Sequence, residues 1–213
     1  MPLPRFDRLP AGRQEQILAV ARRQFAEHGA QSASYNRIIE AAGFSKSAAY
    51  HYFDGRQDLL RAVLDGVLGR LLDALGPWTG ASDEAQFWSR LDAGAAALAS
   101  HLLNHPDDLA LADAAVAHAR EDGRWLGWFD ALVSNGQELG VIRTDVDREL
   151  LVAATAAVVR TADAWALARA KTSPEPAGPL PEESGAQLWA LLRGLWSETG
   201  PFLGGAGGST GAR

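Results

Sequence analysis

Apolar residues along this chain recur at helical spacing, and no stretch alternates in the way a strand would. Over residues 11–28, Ile17, Ala21 and Phe25 fall on one face, Leu18 widens the stripe, and Gly29 stops the run. Two short patterns follow. The first repeats Ile38, Ile39 and Ala42, and the second runs from Lys46 to Tyr52. Between them Gly43 suits a turn, because a left-handed backbone costs glycine little. Ser45 fits an N-cap whose hydroxyl accepts an orphan backbone N–H of the next helix. A helix this short is unstable alone, so it must pack on its neighbours while presenting Lys46, Ser47, Tyr50 and His51 outward. That is a helix-turn-helix, with a second helix of the size that enters a DNA major groove. A long helix over 56–75 then carries Leu60, Val63, Leu64, Val67, Leu71 and Leu72 on one stripe before Gly76-Pro77 ends it. Such a helix spans about 30 Å, enough to join a small head to a separate body.

The remainder reads as five further helices near 83–104, 107–118, 121–139, 147–171 and 183–199. Asp107 is the expected N-cap after the break at Pro106, and Asn135-Gly136 is expected to interrupt or close the third. Pro2, Pro4 and Pro10 mark the N-terminal residues as a flexible arm. Four prolines within 172–181 make a loop, and the glycine-rich 202–213 a disordered tail. The expected class is therefore all-α, divided into a helix-turn-helix head (1–55, arm 1–10), a helical regulatory and dimerisation body (56–201) and the tail. Residues 152–168 are apolar nearly all round and rich in alanine, and the final helix offers Leu188, Leu191, Leu192 and Leu195. Two helices of this kind, meeting their copies across a two-fold axis, would form a four-helix bundle.

At residues 11–64 the chain resembles the tetracycline-repressor (TetR) family of bacterial transcriptional regulators. The residues that carry the likeness are Ser34, Ile38, Ala42-Gly43-Phe44-Ser45, Tyr50-His51-Tyr52-Phe53, Arg56 and Leu59-Leu60. A shorter likeness lies at Gly140-Val141-Ile142-Arg143-Thr144-Asp145. Ala48 and Ala49 stand where Thr and Leu are common in that family, and Ile39 where Ala is frequent. The resemblance implies a homodimer that binds double-stranded DNA at a palindromic operator through its heads, and a small-molecule effector through its body. It implies dimerisation through the last two helices. For the DNA it implies that Lys46, Ser47 and His51 face the groove. Ser34, Tyr35, Tyr50 and Arg56 would fix the head on phosphates, and Asn36 or Arg37 would reach a base or phosphate. Phosphate contacts position a head and base-edge contacts specify its sequence.

Charge changes the picture once it is divided. The whole chain carries −6, which is unexpected for a DNA binder, yet residues 1–56 hold eight Lys/Arg against five acids. The remainder holds twelve against twenty-one, so a basic head sits on an acidic body. All three tyrosines lie in the head and all seven tryptophans beyond it. Tyrosine can hydrogen-bond a phosphate while packing its ring, whereas tryptophan suits a core or a large apolar cavity. No cysteine is present, which excludes disulfides, Cys-containing zinc sites and thiol nucleophiles. With no apolar signal segment and no run long enough for a membrane span, a cytoplasmic protein with no membrane partner is expected.

The body suggests a ligand cavity. Trp88, Trp125, Trp128 and Phe129, with the polar groups of His101, His118, Thr155 and Asp163, would suit an apolar or aromatic compound. Simple core packing explains the same aromatics. His101 and His105 stand four apart, a metal-chelating spacing, but Pro106 breaks the helix directly after and no metal motif surrounds them, so no metal site or cofactor is assigned. No nucleophile elbow or phosphate loop points to an enzyme. Two other readings stay open: a DNA-binding regulator without an effector, whose body would be packed solid, and a ligand-binding helical protein with a vestigial head.

Overall fold

The computed structural model describes residues 2–119, 123–172 and 182–198; the side chains of Asp163, of 166–172 and of 182–184 lie outside that description. The expected loop over 172–181, all but its first residue, and the tail at 202–213 also lie outside the described residues. Ten helices and no strand occur among the described residues: α1 (Pro4–Asp7), α2 (Ala11–His28), α3 (Tyr35–Ala41), α4 (Lys46–Tyr52), α5 (Gly55–Leu75), α6 (Glu84–Asn104), α7 (Pro106–His118), α8 (Gly123–Glu138), α9 (Arg148–Thr172) and α10 (Glu182–Trp196). No described helix is long and apolar enough to cross a membrane.

Helix α2 buries Ile17, Ala21 and Phe25, one per turn, and ends where Gly29 takes a positive φ of 83°. Gly43, at φ 69°, turns the chain from α3 into α4. There the Ser45 hydroxyl accepts from the Ala48 backbone N–H at 3.2 Å. Ile38, Ile39, Ala49 and Phe53 close the core of the head. The N-terminal residues are not the flexible arm that their prolines suggested. Pro4 starts α1, the Leu3 N–H donates to the Tyr52 carbonyl at 2.8 Å, and Phe6 is buried against Tyr52 and Phe53. One aromatic anchor outweighs the turn-forming tendency of its neighbours.

Helix α5 belongs to both parts of the chain. Its first turns bury Leu59, Leu60 and Val63 in the head, while Leu68 and Leu71 pack in the body against α6 and α7. Helix α2 also packs on α7, giving the head a second attachment. Two local expectations fail in the body. Asp107 does not cap α7; His105 stands at the N-cap, and Pro106, which needs no N–H partner, fills the first position. Asn135 and Gly136 neither interrupt nor close α8, which continues to Glu138. The Asn135 amide instead accepts from Trp78 Nε1 (3.2 Å) and the Ala81 N–H (2.7 Å), fastening the α5–α6 connection to α8. Gly136 lets Ile142 lie against the helix backbone, where a Cβ would meet Ile142 Cδ1 at 2.5 Å.

Candidate nucleic-acid interface and ligand cavity

On α4 the residues Lys46, Ser47, Tyr50 and His51 are exposed and share one face, while Ala49 on the opposite side is fully buried. Tyr50 is 53% exposed, well beyond what packing requires of its ring. Ser34, Asn36 and Arg37 are exposed at the start of α3. This cluster of cationic, hydroxyl and amide groups stands on a rigid apolar base, the arrangement that a groove-reading surface needs.

Two expected contacts are otherwise engaged. Arg56 turns inward: its Nε donates to the Ala33 carbonyl at 2.8 Å, Nη2 donates to the Ala30 carbonyl, and the guanidinium lies over the Phe25 ring. It ties the α2–α3 loop to α5 instead of facing a phosphate. The Tyr35 hydroxyl is buried and lacks a hydrogen-bond partner. Burial, followed by the nearby Tyr50, Asp58 and Asp54, pushes its pKa up to about 12. Its ring meets Tyr50 edge-on, with centroids 6.0 Å apart. Tyr35 thus supports Tyr50 from beneath.

In the body, a cavity of about 440 Å³ opens between α5, α6, α7, α8, α9 and α10. Leu71 and Leu75, Leu98 and Leu102, Trp125, Trp128 and Phe129, and Leu188 and Trp189 form most of its wall. Thr155 contributes a hydroxyl, and Asp92, Asp113 and Arg160 add charged groups to the lining. The Thr155 oxygen accepts from Trp196 Nε1 at 3.0 Å, which anchors the end of α10.

Between head and cavity lies a cluster of charge. Asp108 on α7 is 1% exposed. It accepts from Arg70 Nε and Nη2, each at 2.8 Å, and from His101 Nε2 at 3.0 Å, so His101 carries its proton on that nitrogen. Arg22 of α2 approaches it to 3.7 Å. Burial would raise the Asp108 pKa, but the hydrogen bonds of Arg70 and His101 with the charges of Arg70 and Arg22 outweigh it and hold the carboxyl below the usual carboxylate range.

The sequence pattern of the bacterial regulatory proteins of the tetR family matches residues 17–63, the segment from α2 to α5 that builds the exposed α4 face. Residues 17–63 carry the pattern of the tetR family. Among curated tetR-type relatives, the HTH-type transcriptional repressor AcnR of Corynebacterium glutamicum is 41% identical over 54 residues, 25% of this chain and 29% of that repressor. The chain thus matches under a third of the length of that relative. The HTH-type transcriptional repressor KstR2 of Rhodococcus jostii is 29% identical over 155 residues, covering 66% of this chain and 72% of its own. The likeness of fold extends further than the sequence likeness. The fatty acid degradation regulator FadR of Bacillus halodurans superposes with a TM-score of 0.63 at 19% identity, over 84% of this chain and 97% of that one. FadR of Bacillus subtilis, solved in complex with stearoyl-CoA, gives 0.61 at 16% identity over 83% and 96%.

Of the residues expected to line a ligand site in the body, Trp125, Trp128, Phe129 and Thr155 border the cavity. Three do not. Trp88 packs on Phe87 and Trp196 with the Arg193 guanidinium 4.6 Å over its ring. His101 is bound to Asp108, and its ring stacks on His105 at 4.1 Å. His118 Nε2 meets Asp65 at 3.1 Å. The side chain of Asp163 lies outside the described residues. Sequence reasoning missed Trp189 and the leucines of α5, α6 and α10 that complete the wall. Only their helical phase could have indicated them, and that phase does not distinguish a cavity wall from a core. The Arg22–Arg70–Asp108 cluster joins residues distant in the chain and leaves no local signal.

Proposed function

We propose that this chain is a ligand-responsive, DNA-binding transcriptional repressor that acts as a homodimer. The observation that carries the proposal is the α4 face: Lys46, Ser47, Tyr50 and His51 exposed together on the segment that matches the tetR family. In this reading two heads, each spanning residues 1–55, enter successive major grooves of a palindromic operator about 34–36 Å apart. Lys46, Ser47 and His51 read the groove. Ser34 and Tyr50 contact phosphates, and Asn36 or Arg37 reaches a base or phosphate. Arg56 and Tyr35 hold these groups in place from inside the head.

Two copies join through α9 and α10, where Leu150 and Leu191 remain exposed at 61% and 58%. The cavity takes the effector, and its volume lies in the range of small-molecule sites. Its aromatic and aliphatic wall favours an apolar or aromatic compound, in keeping with the stearoyl-CoA found in one fold relative. Ligand selects the body conformation that it fits best. It releases DNA only if its affinity differs between the DNA-bound and free states. Helix α5 carries the difference, because Leu71 and Leu75 border the cavity while Leu59 and Leu60 sit in the head. The open cavity favours this reading over an effector-independent regulator with a solid body.

The direct test pairs Lys46→Ala and Tyr50→Phe, both at exposed positions outside the core. Each should weaken operator binding about 5–50-fold, equivalent to roughly 1–2 kcal/mol, with the thermal transition unchanged. Wild-type affinity in both variants would remove α4 as the reading helix.

A further inference from the structure

The Asp108 cluster connects the cavity to the head through side chains. Three of its members come from helices that wall the cavity, and each sits beside a lining residue. Arg70 precedes Leu71, His101 precedes Leu102, and Asp108 lies one turn before Ala112. The fourth member, Arg22, comes from α2, the helix that holds the head together through Ile17, Ala21 and Phe25.

The contacts differ in tightness. Arg70 and His101 fill both Asp108 oxygens at 2.8–3.0 Å. Arg22 Nε is buried without a hydrogen-bond partner, 3.7 Å from Asp108 Oδ1 and 3.9 Å from Asp107 Oδ2. A guanidinium N–H normally bonds a carboxylate at about 2.8 Å, so this one stands roughly 0.9 Å outside its range. A buried donor in that position has a clear alternative state, reached by a sub-ångström approach of α7 to α2. Oδ1 accepts only Arg70 Nη2 and has a lone pair left for it.

We propose that the Arg22–Asp108 contact is the point through which the cavity governs the head. Filling the cavity moves α5, α6 and α7, makes the Arg22–Asp108 hydrogen bond, and so resets the angle at which α2 holds α3 and, through it, α4. The proposal rests on the cavity being the effector site. Arg22 and Asp108 are positioning residues, touching neither ligand nor DNA.

The test is amide hydrogen exchange of residues 11–52 in the full-length protein, with the cavity filled in two ways: by saturating 1-decanol, and by Ala95→Leu, which fills it from α6 without touching the cluster. In the wild-type background each filling should change head exchange by about fivefold or more. With Arg22→Gln both responses should fall within about twofold of no change, while 1-decanol still shifts the tryptophan emission maximum at an unchanged midpoint. Arg22→Lys, which keeps the charge, should restore part of the response. A purely structural ion pair would alter basal exchange and leave the response to filling intact. A full response in Arg22→Gln therefore overturns the proposal, as does a head indifferent to Ala95→Leu. Absence of any emission shift with 1-decanol counts against the cavity as an apolar-ligand site, and the Ala95→Leu arm still decides the role of Arg22.

Discussion

Replacing Asp108 with Asn keeps the size of the side chain and removes its charge. The native carboxylate accepts three hydrogen bonds, two from Arg70 and one from His101, and is the nearest anion to Arg22 Nε. An asparagine can accept with one oxygen only, and its amide then faces the donors of Arg70 or His101. Removing one partner of a buried ion pair costs about 3–5 kcal/mol when the other charge stays buried. Arg70 is 30% exposed and recovers some hydration, so a loss of about 2–3 kcal/mol is expected. For a chain of this size that lowers the midpoint by roughly 5–10 °C, compared at equal protein concentration because association shifts it too.

The pH dependence adds a sign. The Asp108 pKa is lowered on folding, so its stabilisation is present above the unfolded value and is lost as pH falls through the folded one. Wild-type and Asp108→Asn melting curves, followed by circular dichroism, should differ fully at pH 7 and converge in strong acid. A difference under about 0.5 kcal/mol at pH 7, or one that widens in acid, would refute the energetic reading of the cluster.

Gly136→Ala places a Cβ 2.5 Å from Ile142 Cδ1 and 3.2 Å from Phe87 Cε2, so calorimetry should show a loss of about 1–3 kcal/mol through overpacking. Phe6→Ala empties a buried site between Tyr52 and Phe53 and should lower stability by about 3 kcal/mol, seen as a lower urea midpoint. Leu191→Glu puts a charge on the exposed α10 face and should shift the protein towards monomer by light scattering; an unchanged mass would move the dimer contact away from α10.

Much of the fold was legible because helical periodicity and local turn chemistry agree. The Gly43 turn, the Ser45 cap and the outward face of α4 follow from a few neighbouring residues. What stayed hidden depends on distant partners. Phe6 looked like part of an arm because prolines dominate its surroundings, and only Tyr52 and Phe53 make it an anchor. Arg56 matched a family position, yet the Ala30 and Ala33 carbonyls that engage it belong to a loop. Tryptophans were counted as cavity candidates without their helical phase. Trp88, which does not border the cavity, was therefore counted, and Trp189, which does, was not. Asp108 carried no signal of its own, since nothing near it in sequence announces Arg22 or Arg70.

The proposed head reads DNA as one half of a symmetric pair. The measurement that bears on it most directly is recovery of genomic fragments by the purified protein, followed by affinity for the enriched sequence across a range of salt. The expected result is an inverted repeat with half-sites about 10 base pairs or a multiple apart, bound with an affinity that falls steeply as salt rises. No enriched sequence, with no salt-dependent affinity for any duplex even at low ionic strength, would contradict it.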